Sequence, residues 1–389
     1  MTALDTADPG FIDDPYPTLA ALRAEAPVVW HDGWGMFLAT THAAVTDTLK
    51  SRDFGRIWSD FEPEDQMAQV NSLHRNQLME NEPPAHTRLR RLVAGAFGRG
   101  HVERMRPRVT ALAEELIDSF EGGDIIAQYA EPLPVFVIAD LLGVPRTDHA
   151  DLRRWSQAIV HLYEPGTTQA TKTAAAQAAD EFSAYVRDVV AFREQHPGDD
   201  LITGLIAERA EGDRLSEDEL VATVVLLLNA GHEASVNAFG NGLVAALQHP
   251  DQWRRLVRAE TDIAVAAEEW LRFDAPLQLF ERTAVADTQV AGVPIAQGQK
   301  IACLMGSANR DETVFGESAN RFDLGRDPNP HVGFGLGRHF CVGAPLARVE
   351  LQASIATVVR RFPALRLEAT TRRPTWVLRG YEAVEVFSA

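Results

Sequence analysis

The pattern of apolar and polar positions divides the chain into a helical majority and a few short β segments. Residues 14–25, "DPYPTLAALRAE", have helical spacing with proline in the first turn, and "PVVW" with "GMFLATT" alternate like a β-hairpin. From about residue 85 apolar positions recur at helical intervals, whereas short runs separated by Gly, Asp and Pro follow residue 281. We therefore expect a β-rich part at about 27–60, 281–305 and 364–389, and a helix-rich part at about 84–275 and 341–361.

One helix is predicted to be much longer than the others. "SEDE" at Ser216 is a capping box, in which the serine side chain accepts from the backbone N–H of Glu219 and the glutamate reaches back. The helix ends before Pro250, which gives more than 30 residues and a length of about 45 to 50 Å at ~1.5 Å per residue. Such a helix must be central, so the polar residues within "LLLNAGHEASVNAFGNGL" need either partners or a function.

Composition favours one compact unit. The chain has 389 residues, of which 46% are hydrophobic and 24% charged, and it contains no linker, low-complexity tract or repeat. We expect a single domain over residues 1–389. The amino terminus lacks the features of a signal peptide, and the longest apolar run is shorter than the ~20 residues that cross a bilayer. We predict a cytoplasmic protein with no membrane partner.

Charge and cysteine content narrow the possible partners. The net charge of -18 argues against nucleic acid as a partner, because both are negatively charged. Basic islands such as "HTRLRRL" could still dock an acidic protein. With only Cys303 and Cys341, a disulfide framework is not expected.

The stretch around Cys341 carries the strongest chemical signal. "FGLGRHFCVGAPLAR" places this cysteine after a glycine-rich loop and at the start of a helix, where backbone N–H groups and the helix dipole stabilise a thiolate. A thiolate in that setting is a good axial ligand for ferric iron. The sequence here resembles the cytochrome P450 family, the haem-thiolate monooxygenases. Its haem-binding pattern is matched by Phe334, Gly335, Gly337, His339, Cys341 and Gly343.

Three further segments resemble landmarks of the same family. They are "NEPPAHTRLRRLVAGAF", "EEWLR" and "ANRDETVFGESANRFDLGRDPNPH", in the family's order. The resemblance implies a mainly α fold with small β-sheets, a triangular helical prism with haem between the long central helix and the helix that follows the cysteine. The implied cofactor is haem b (iron protoporphyrin IX), with Cys341 as the iron ligand.

The resemblance also implies partners for the haem propionates and for the loop behind the cysteine. The propionate partners would be His86, Arg90, Arg282 and His339. Glu269 and Arg272 lie one helical turn apart, so they can form an ion pair, and they would brace the loop together with Arg321. Cys303 matches no landmark, and we expect it to be structural.

The central helix departs from the family pattern at one position. Ala230, Gly231 and Glu233 fit small residues beside the oxygen site and an acid that supplies protons, but Ala234 replaces the usual threonine. A hydroxyl or water of the substrate could take over, as the "Glu-Ala-Ser" sequence of relatives acting on macrolactones suggests. Ser235 could act through water, being rotated about 100° around the helix. A third alternative is chemistry with less proton control, such as phenol coupling or direct use of peroxide.

Substrate contacts are the least defined by sequence. Asn229 lies one turn before Glu233, and it either bonds to a neighbouring backbone or contacts an oxygenated substrate. His232 points elsewhere and is expected to be structural. Leu277, Leu279 and Phe280 suggest an apolar cavity, although core packing explains them equally well.

The predicted function is insertion of one oxygen atom from dioxygen into a hydrophobic natural product, as in antibiotic biosynthesis. No flavin domain or dinucleotide fingerprint is present, so the electrons would come from a ferredoxin and its reductase. Arg88, Arg91 and Arg338 would form the docking patch of a monomeric enzyme. The alternatives are an oxidative coupling enzyme that inserts no oxygen, and a non-catalytic haem protein that senses a ligand.

Overall fold

The computed structural model describes residues 4–164, 167–210 and 215–388. These described residues fall into two compact units, one within the ranges Met1–Gly55, Ala113–Ala130 and Ala234–Ala389 and the other within Arg56–Leu112 and Glu131–Glu233. The first contains every described strand, and the second is helical. The predicted extent of a single domain stays a prediction.

Helices account for most of the described residues, as predicted. They are α1 Pro9–Asp13, α2 Tyr16–Glu25, α3 His42–Lys50, α4 Ala68–Arg75, α5 Ala85–Ala94, α6 Arg99–Asp118, α7 Pro132–Leu142, α8 His149–Val160, α9 Gln169–Gln195, α10 Leu201–Ala210, α11 Glu217–Gln248, α12 Pro250–Val257, α13 Ile263–Phe273, α14 Met305–Ala308, α15 Glu312–Phe315 and α16 Ala344–Arg361. Single helical turns also occur, among them Gly337–His339, which ends two residues before Cys341.

In the part of the chain that the structure describes, short strands make three small sheets. They are β1 Val28–His31, β2 Met36–Ala39, β3 Phe54–Gly55, β4 Gly123–Asp124, β5 Leu279–Ala284, β6 Thr288–Val290, β7 Val293–Ile295, β8 Lys300–Leu304, β9 Leu365–Arg372 and β10 Tyr381–Ser388. The largest has the order β1-β2-β8-β5-β3, and β4-β10-β9 and β6-β7 form the others. The predicted hairpin is β1-β2, while β4 lies outside the segments predicted to be β-rich.

The start and end of the central helix α11 are confirmed. Ser216 Oγ accepts from the N–H of Glu219 at 3.1 Å, and the N–H of Ser216 donates to Glu219 Oε2 at 2.9 Å. The helix ends at Gln248, because Pro250 opens the next one. Its early turns therefore have both backbone and side-chain partners, which fixes the register of every residue that follows.

The same helix is long and apolar enough to cross a membrane, which the apolar runs in the sequence did not predict. It is the one such helix among the described residues, and 72% of its most apolar stretch is buried inside the protein. Close packing supplies part of that burial: a Cβ at Gly242 would collide with the ring of Trp270 on α13. The apolar side chains of α11 are thus used for internal packing.

Candidate active site

Cys341 lies between the helical turn Gly337–His339 and the start of α16. Its N–H donates to the carbonyl oxygen of Phe334 at 2.9 Å, which closes the intervening loop, and its side chain is partly exposed. Gly343 is the residue before the helix and offers no side chain as a cap. A Cβ at Gly343 would lie 3.9 Å from the sulfur, so the start of α16, where the helix dipole favours an anion, lies close to Cys341 Sγ.

Two glycines of this loop have left-handed backbone. Gly335 has a φ of +66° and Gly337 a φ of +71°, a region that other residues rarely adopt. A Cβ at Gly337 would in addition collide with the carbonyl oxygen of Leu49. Glycine at position 337 is therefore required by the fold of the loop, whichever group the loop holds.

A buried ion pair supports the segment that leads into this loop. Glu269 and Arg272 are both fully buried and are joined by contacts of 2.7 and 2.8 Å, as predicted. Arg272 also donates to the carbonyl oxygens of Asn309 and Ala319, each at 2.7 Å. Glu269 accepts in turn from the Asp323 N–H at 2.9 Å and from Asn329 at 3.1 Å. The pair thus fixes an irregular segment through its main chain.

The prediction that Arg321 completes this network is wrong. Its side chain is exposed, and only its carbonyl oxygen takes part, by accepting from Arg272 at 3.0 Å. The third charged partner is Arg326, whose Nε lies 3.1 Å from Glu269 Oε2. Arg326 also donates to the carbonyl oxygen of Ser318 at 2.8 Å, so the turn of the chain places residue 326 inward and residue 321 outward.

The residues predicted to hold propionates lie in both units. In the first unit, Arg282 on β5 is buried and donates to the carbonyl oxygen of Glu281 at 2.8 Å, and His339 lies two residues before the cysteine. In the second unit, His86 and Arg90 lie four residues apart on α5 and so share one face of that helix. His86 is buried, and Arg90 is partly exposed.

Small residues form an accessible stripe in the middle of α11. Between residues 221 and 246, all of which are described, only Ala230, Gly231, Ala234 and Ser235 are accessible. Their spacing places them on one face of the helix. A Cβ at Gly231 would lie 3.9 Å from Ile138, an ordinary contact, so packing within the protein does not require glycine there. The stripe leaves room for a flat group.

Polar residues flank that stripe. Glu233 and Asn229 are buried, one turn apart, and His232 is fully buried. The structural role of His232 stays a prediction. Asn229 Oδ1 has no hydrogen-bond partner among the described residues. Both interpretations of Asn229, a bond to a neighbouring backbone and a contact to an oxygenated substrate, stay predictions, because this observation concerns Oδ1 alone. A donor on a bound molecule would satisfy this buried oxygen.

The structure reveals one functional candidate that the sequence reasoning missed. Glu350 on α16 is buried and hydrogen-bonded to the side chain of Ser235, while its Oε2 has no protein partner among the described residues. Burial raises the pKa of Glu350 to about 8, although the bond from Ser235 opposes the shift. The carboxyl group is therefore mostly protonated at neutral pH. An acid on the buried face of an amphipathic helix was the available signal.

The predicted apolar cavity residues have different surroundings. Leu279 packs with the cluster that includes Leu22 and Trp376, whereas Phe280 packs with the cluster of Cys303 on β8. They lie on opposite faces of β5, because neighbouring residues of a strand alternate. Leu277 contacts both clusters. Burial raises the pKa of the Cys303 thiol to about 12, in keeping with a structural residue.

These features fit a haem. The loop offers a thiol close to the start of a helix, the strand β5 offers a buried arginine, and the accessible stripe of α11 offers a surface without large side chains. Iron–thiolate ligation, anionic propionates and a flat ring need these three kinds of environment. Among the described residues no cluster of His, Cys, Asp and Glu could hold a metal ion by itself.

Comparisons with known proteins agree with this geometry. The sequence model of the family described as "Cytochrome P450" matches residues 126–376. The chain is 34% identical to the "Biotin biosynthesis cytochrome P450" of Bacillus subtilis (strain 168), with 99% of this chain and 98% of that protein covered. It is 36% identical to the "6-deoxyerythronolide B hydroxylase" of Saccharopolyspora erythraea, with 99% of this chain and 98% of that protein covered.

A solved structure matches the whole fold as well. The structure of P450BioI in complex with an acyl carrier protein ligated with hexadec-9Z-enoic acid superposes with a TM-score of 0.92. The sequence identity is 31%, and the match covers 98% of this chain and 100% of that chain. The mainly α fold with small sheets, predicted from the sequence, is confirmed.

Proposed function

Because this chain belongs to the cytochrome P450 family and is a monooxygenase, we propose that it inserts one oxygen atom from dioxygen into a C–H or C=C bond of a hydrophobic natural product. The observation that carries the proposal is the Cys341 loop, which presents a thiol at the start of α16 and is closed by the bond to Phe334. The family implies a haem-thiolate cofactor, and haem b ligated by Cys341 is part of the proposal. When bound, the haem supplies the activation of dioxygen.

The protein's own residues would hold the cofactor and exclude competing reactions. Arg282, His339, His86 and Arg90 would neutralise the propionates, and Gly231 with Ala230 would leave space above the ring. Asn229 would orient a substrate by accepting a hydrogen bond from its hydroxyl or amide group, because Oδ1 is buried and has no other partner among the described residues.

Proton delivery would use Glu350 and Ser235. Glu350 is mostly protonated at neutral pH and is bonded to Ser235, the residue next to Ala234 on α11. The proton would pass from the Glu350 carboxyl group to Ser235 Oγ, and a hydroxyl or water of the substrate would complete the path beside the Ala234 methyl group. This proposal joins two of the alternatives left open by the sequence: substrate assistance at position 234 and a relay through Ser235. Glu233 would connect the site to outside protons.

The substrate class rests on the relatives. One relative is named for biotin biosynthesis and another as a hydroxylase of 6-deoxyerythronolide B, and the solved structure of P450BioI holds an acyl carrier protein ligated with hexadec-9Z-enoic acid. We propose a substrate of secondary metabolism that combines apolar surface with at least one hydroxyl or amide donor. The donor would satisfy Asn229 or take the place of the hydroxyl missing at position 234.

Electrons would come from a ferredoxin and its reductase. Arg91 is exposed on α5, and Arg338 is partly exposed in the turn before the cysteine. Arg88 is less suited to docking, because it already pairs with Glu219 through two hydrogen bonds, one of them 3.1 Å long. The protein would work in the cytoplasm as a monomer.

The product mass tests the proposed function. The holoenzyme is first checked for the carbon monoxide difference band of a cysteine-ligated haem, and candidate substrates are selected by the spectral change of the ferric protein on binding. Turnover with ferredoxin and reductase should add one oxygen atom to the substrate. A loss of two hydrogens would support oxidative coupling instead, and no change in mass with any bound ligand would support a sensor.

A further inference from the structure

Glu268 precedes the buried ion pair of α13 in the sequence, and it pairs with a different arginine, Arg348. Its carboxylate forms two contacts with Arg348 of α16, Nε to Oε1 at 2.7 Å and Nη2 to Oε2 at 2.8 Å. Burial opposes ionisation of Glu268, but its bonds with Arg348 and His331 prevail and lower its pKa to about 2. The carboxylate is therefore charged throughout the working pH range. Parallel contacts of this kind fix both the distance and the plane of the arginine.

His331 is the third member of this group. Its Nε2 lies 2.9 Å from Glu268 Oε2, and its Nδ1 accepts from the N–H of Gly333 at 3.1 Å. Because Nδ1 is an acceptor, the ring proton is on Nε2 and is donated to the carboxylate. Glu268 therefore holds the segment that enters the cysteine loop as well as the helix that leaves it.

Arg348 connects the group to the cysteine by packing. Its guanidinium carbon lies 4.6 Å from the centre of the Phe334 ring, and the carbonyl oxygen of Phe334 accepts from the N–H of Cys341 at 2.9 Å. If Arg348 were displaced, the ring of Phe334 would lose this contact. Phe334 is the residue whose carbonyl oxygen accepts the hydrogen bond from Cys341. The loop around the sulfur is fixed from both ends.

Arg348 also connects to the cysteine by charge. Its pKa is raised chiefly by the bond with Glu268, and electrostatic attraction to Cys341 adds to the effect. Such an interaction is mutual, so the guanidinium stabilises negative charge on the sulfur. Glu268 offsets part of that positive charge. Removing the charge of Arg348 should therefore make the electrostatic potential at the sulfur more negative, and removing the charge of Glu268 should make it more positive.

We propose that Glu268, Arg348 and His331 are positioning residues that set the reduction potential of the iron bound by Cys341. Arg348 holds Phe334 against the cysteine loop and supplies positive charge, and Glu268 fixes Arg348 and limits its effect. Reduction adds an electron to the iron–thiolate centre, so nearby positive charge favours the reduced form. The proposal rests on the proposed function, because it requires an iron bound to Cys341.

The test is the reduction potential of the holoenzyme, measured by spectroelectrochemical titration. Arg348→Gln should lower the potential and Glu268→Gln should raise it, and the double variant should fall between the two. Arg255→Gln is the matched control, since Arg255 has a similar exposure and pairs with Asp323 at 3.0 Å; it should leave the potential unchanged. Shifts of the same sign in both single variants, or no shift in either, would overturn the proposal.

The carbon monoxide difference band separates this proposal from the proposed function. A wild-type protein without the thiolate band would refute the iron site itself, whereas a normal band with unshifted potentials would refute only the role of the three residues. Arg348→Lys keeps the charge and loses the parallel contacts, so it should keep a near-normal potential and lose part of the thiolate band. If Arg348→Gln fails to retain haem, the test is the reduction potential of Arg348→Lys. A normal reduction potential in that variant supports the charge effect, and a lowered one overturns it.

Discussion

Ser235 and Glu350 are hydrogen-bonded through their side chains, which joins the central helix α11 to the helix α16 that follows the cysteine. The contact involves the residue next to Ala234, where a hydroxyl is missing from the family pattern. A carboxylic acid that keeps its proton near neutral pH thus lies beside a hydroxyl that can relay it.

Replacing Glu350 by glutamine should slow turnover by about 10²-fold, the lower range for loss of a placed proton donor. Because burial raises the pKa of Glu350 to about 8, the wild-type rate should fall as the pH rises through that value. Glu350→Gln should lack this fall, because its amide does not titrate. The pH profile of turnover at saturating ferredoxin measures both effects.

Thr357→Val is the control for this variant, because Thr357 is also buried on α16 but lies two turns further on. It should keep the wild-type pH profile. A Glu350→Gln enzyme with full rate and an unchanged profile would refute the proton relay.

The same acid should affect stability. Its pKa is raised in the folded state, so it favours folding fully at pH values below its unfolded pKa, and that contribution is lost as the pH rises through about 8. The loss is about 1.4 kcal/mol for every tenfold difference in the acid dissociation constant between the folded and unfolded states. Denaturant unfolding at pH 6 and pH 9 should show a smaller decrease for Glu350→Gln than for the wild type. Equal decreases would mean that Glu350 is ionised at pH 6.

Restoring the missing hydroxyl by Ala234→Thr should reduce the product formed per reducing equivalent. Ala234 is accessible on the helix face that carries Ala230 and Gly231, and the larger side chain would occupy the space that a substrate hydroxyl or water needs. Ala234→Ser, which is smaller than threonine, should be less impaired. Product and peroxide are quantified against the reducing equivalents consumed. More product per reducing equivalent in Ala234→Thr than in the wild type would rule out substrate assistance.

Removing the charge of Glu269 should destabilise the protein severely. The glutamate is fully buried between Arg272 and Arg326, so Glu269→Gln leaves two buried cations without their counter-ion, which costs about 3 to 5 kcal/mol. Arg321→Gln is the control, because the exposed side chain of Arg321 takes no part in the network, and it should stay within about 0.5 kcal/mol. Denaturant unfolding and haem content distinguish the two. Equal stability of both variants would contradict the assigned roles.

The features predictable from sequence were those with local rules. The capping box fixed the start of α11 at Ser216, and the glycine-rich motif fixed the loop before Cys341, because each depends on residues a few positions apart. The small residues of α11 could likewise be assigned to one face from their spacing.

The features that could not be predicted depend on how an irregular segment turns and on distant contacts. Arg321 and Arg326 lie in a stretch without helical or strand period, so nothing in the sequence decides which one faces Glu269. Ser235 and Glu350 are more than 100 residues apart in the sequence, and only the folded chain brings them together. Only the contacts in the folded protein show that Arg326, and not Arg321, pairs with Glu269 on α13.

Reversing the charge of Arg338 should weaken the reaction with ferredoxin. Arg338 lies in the turn that precedes Cys341, and an acidic partner approaching there would meet a negative side chain in Arg338→Glu. The KM for ferredoxin should rise about tenfold with an unchanged rate at saturation, because such charges act mainly on association. With added salt the KM of the wild type should rise towards that of the variant, since exposed charges are screened beyond about 8 Å at physiological ionic strength.

Arg366→Glu is the control for this variant, because Arg366 is exposed on β9, and it should keep the wild-type KM. An intact thiolate band in Arg338→Glu excludes damage to the cysteine loop, and equal KM values for both variants would place the docking surface elsewhere.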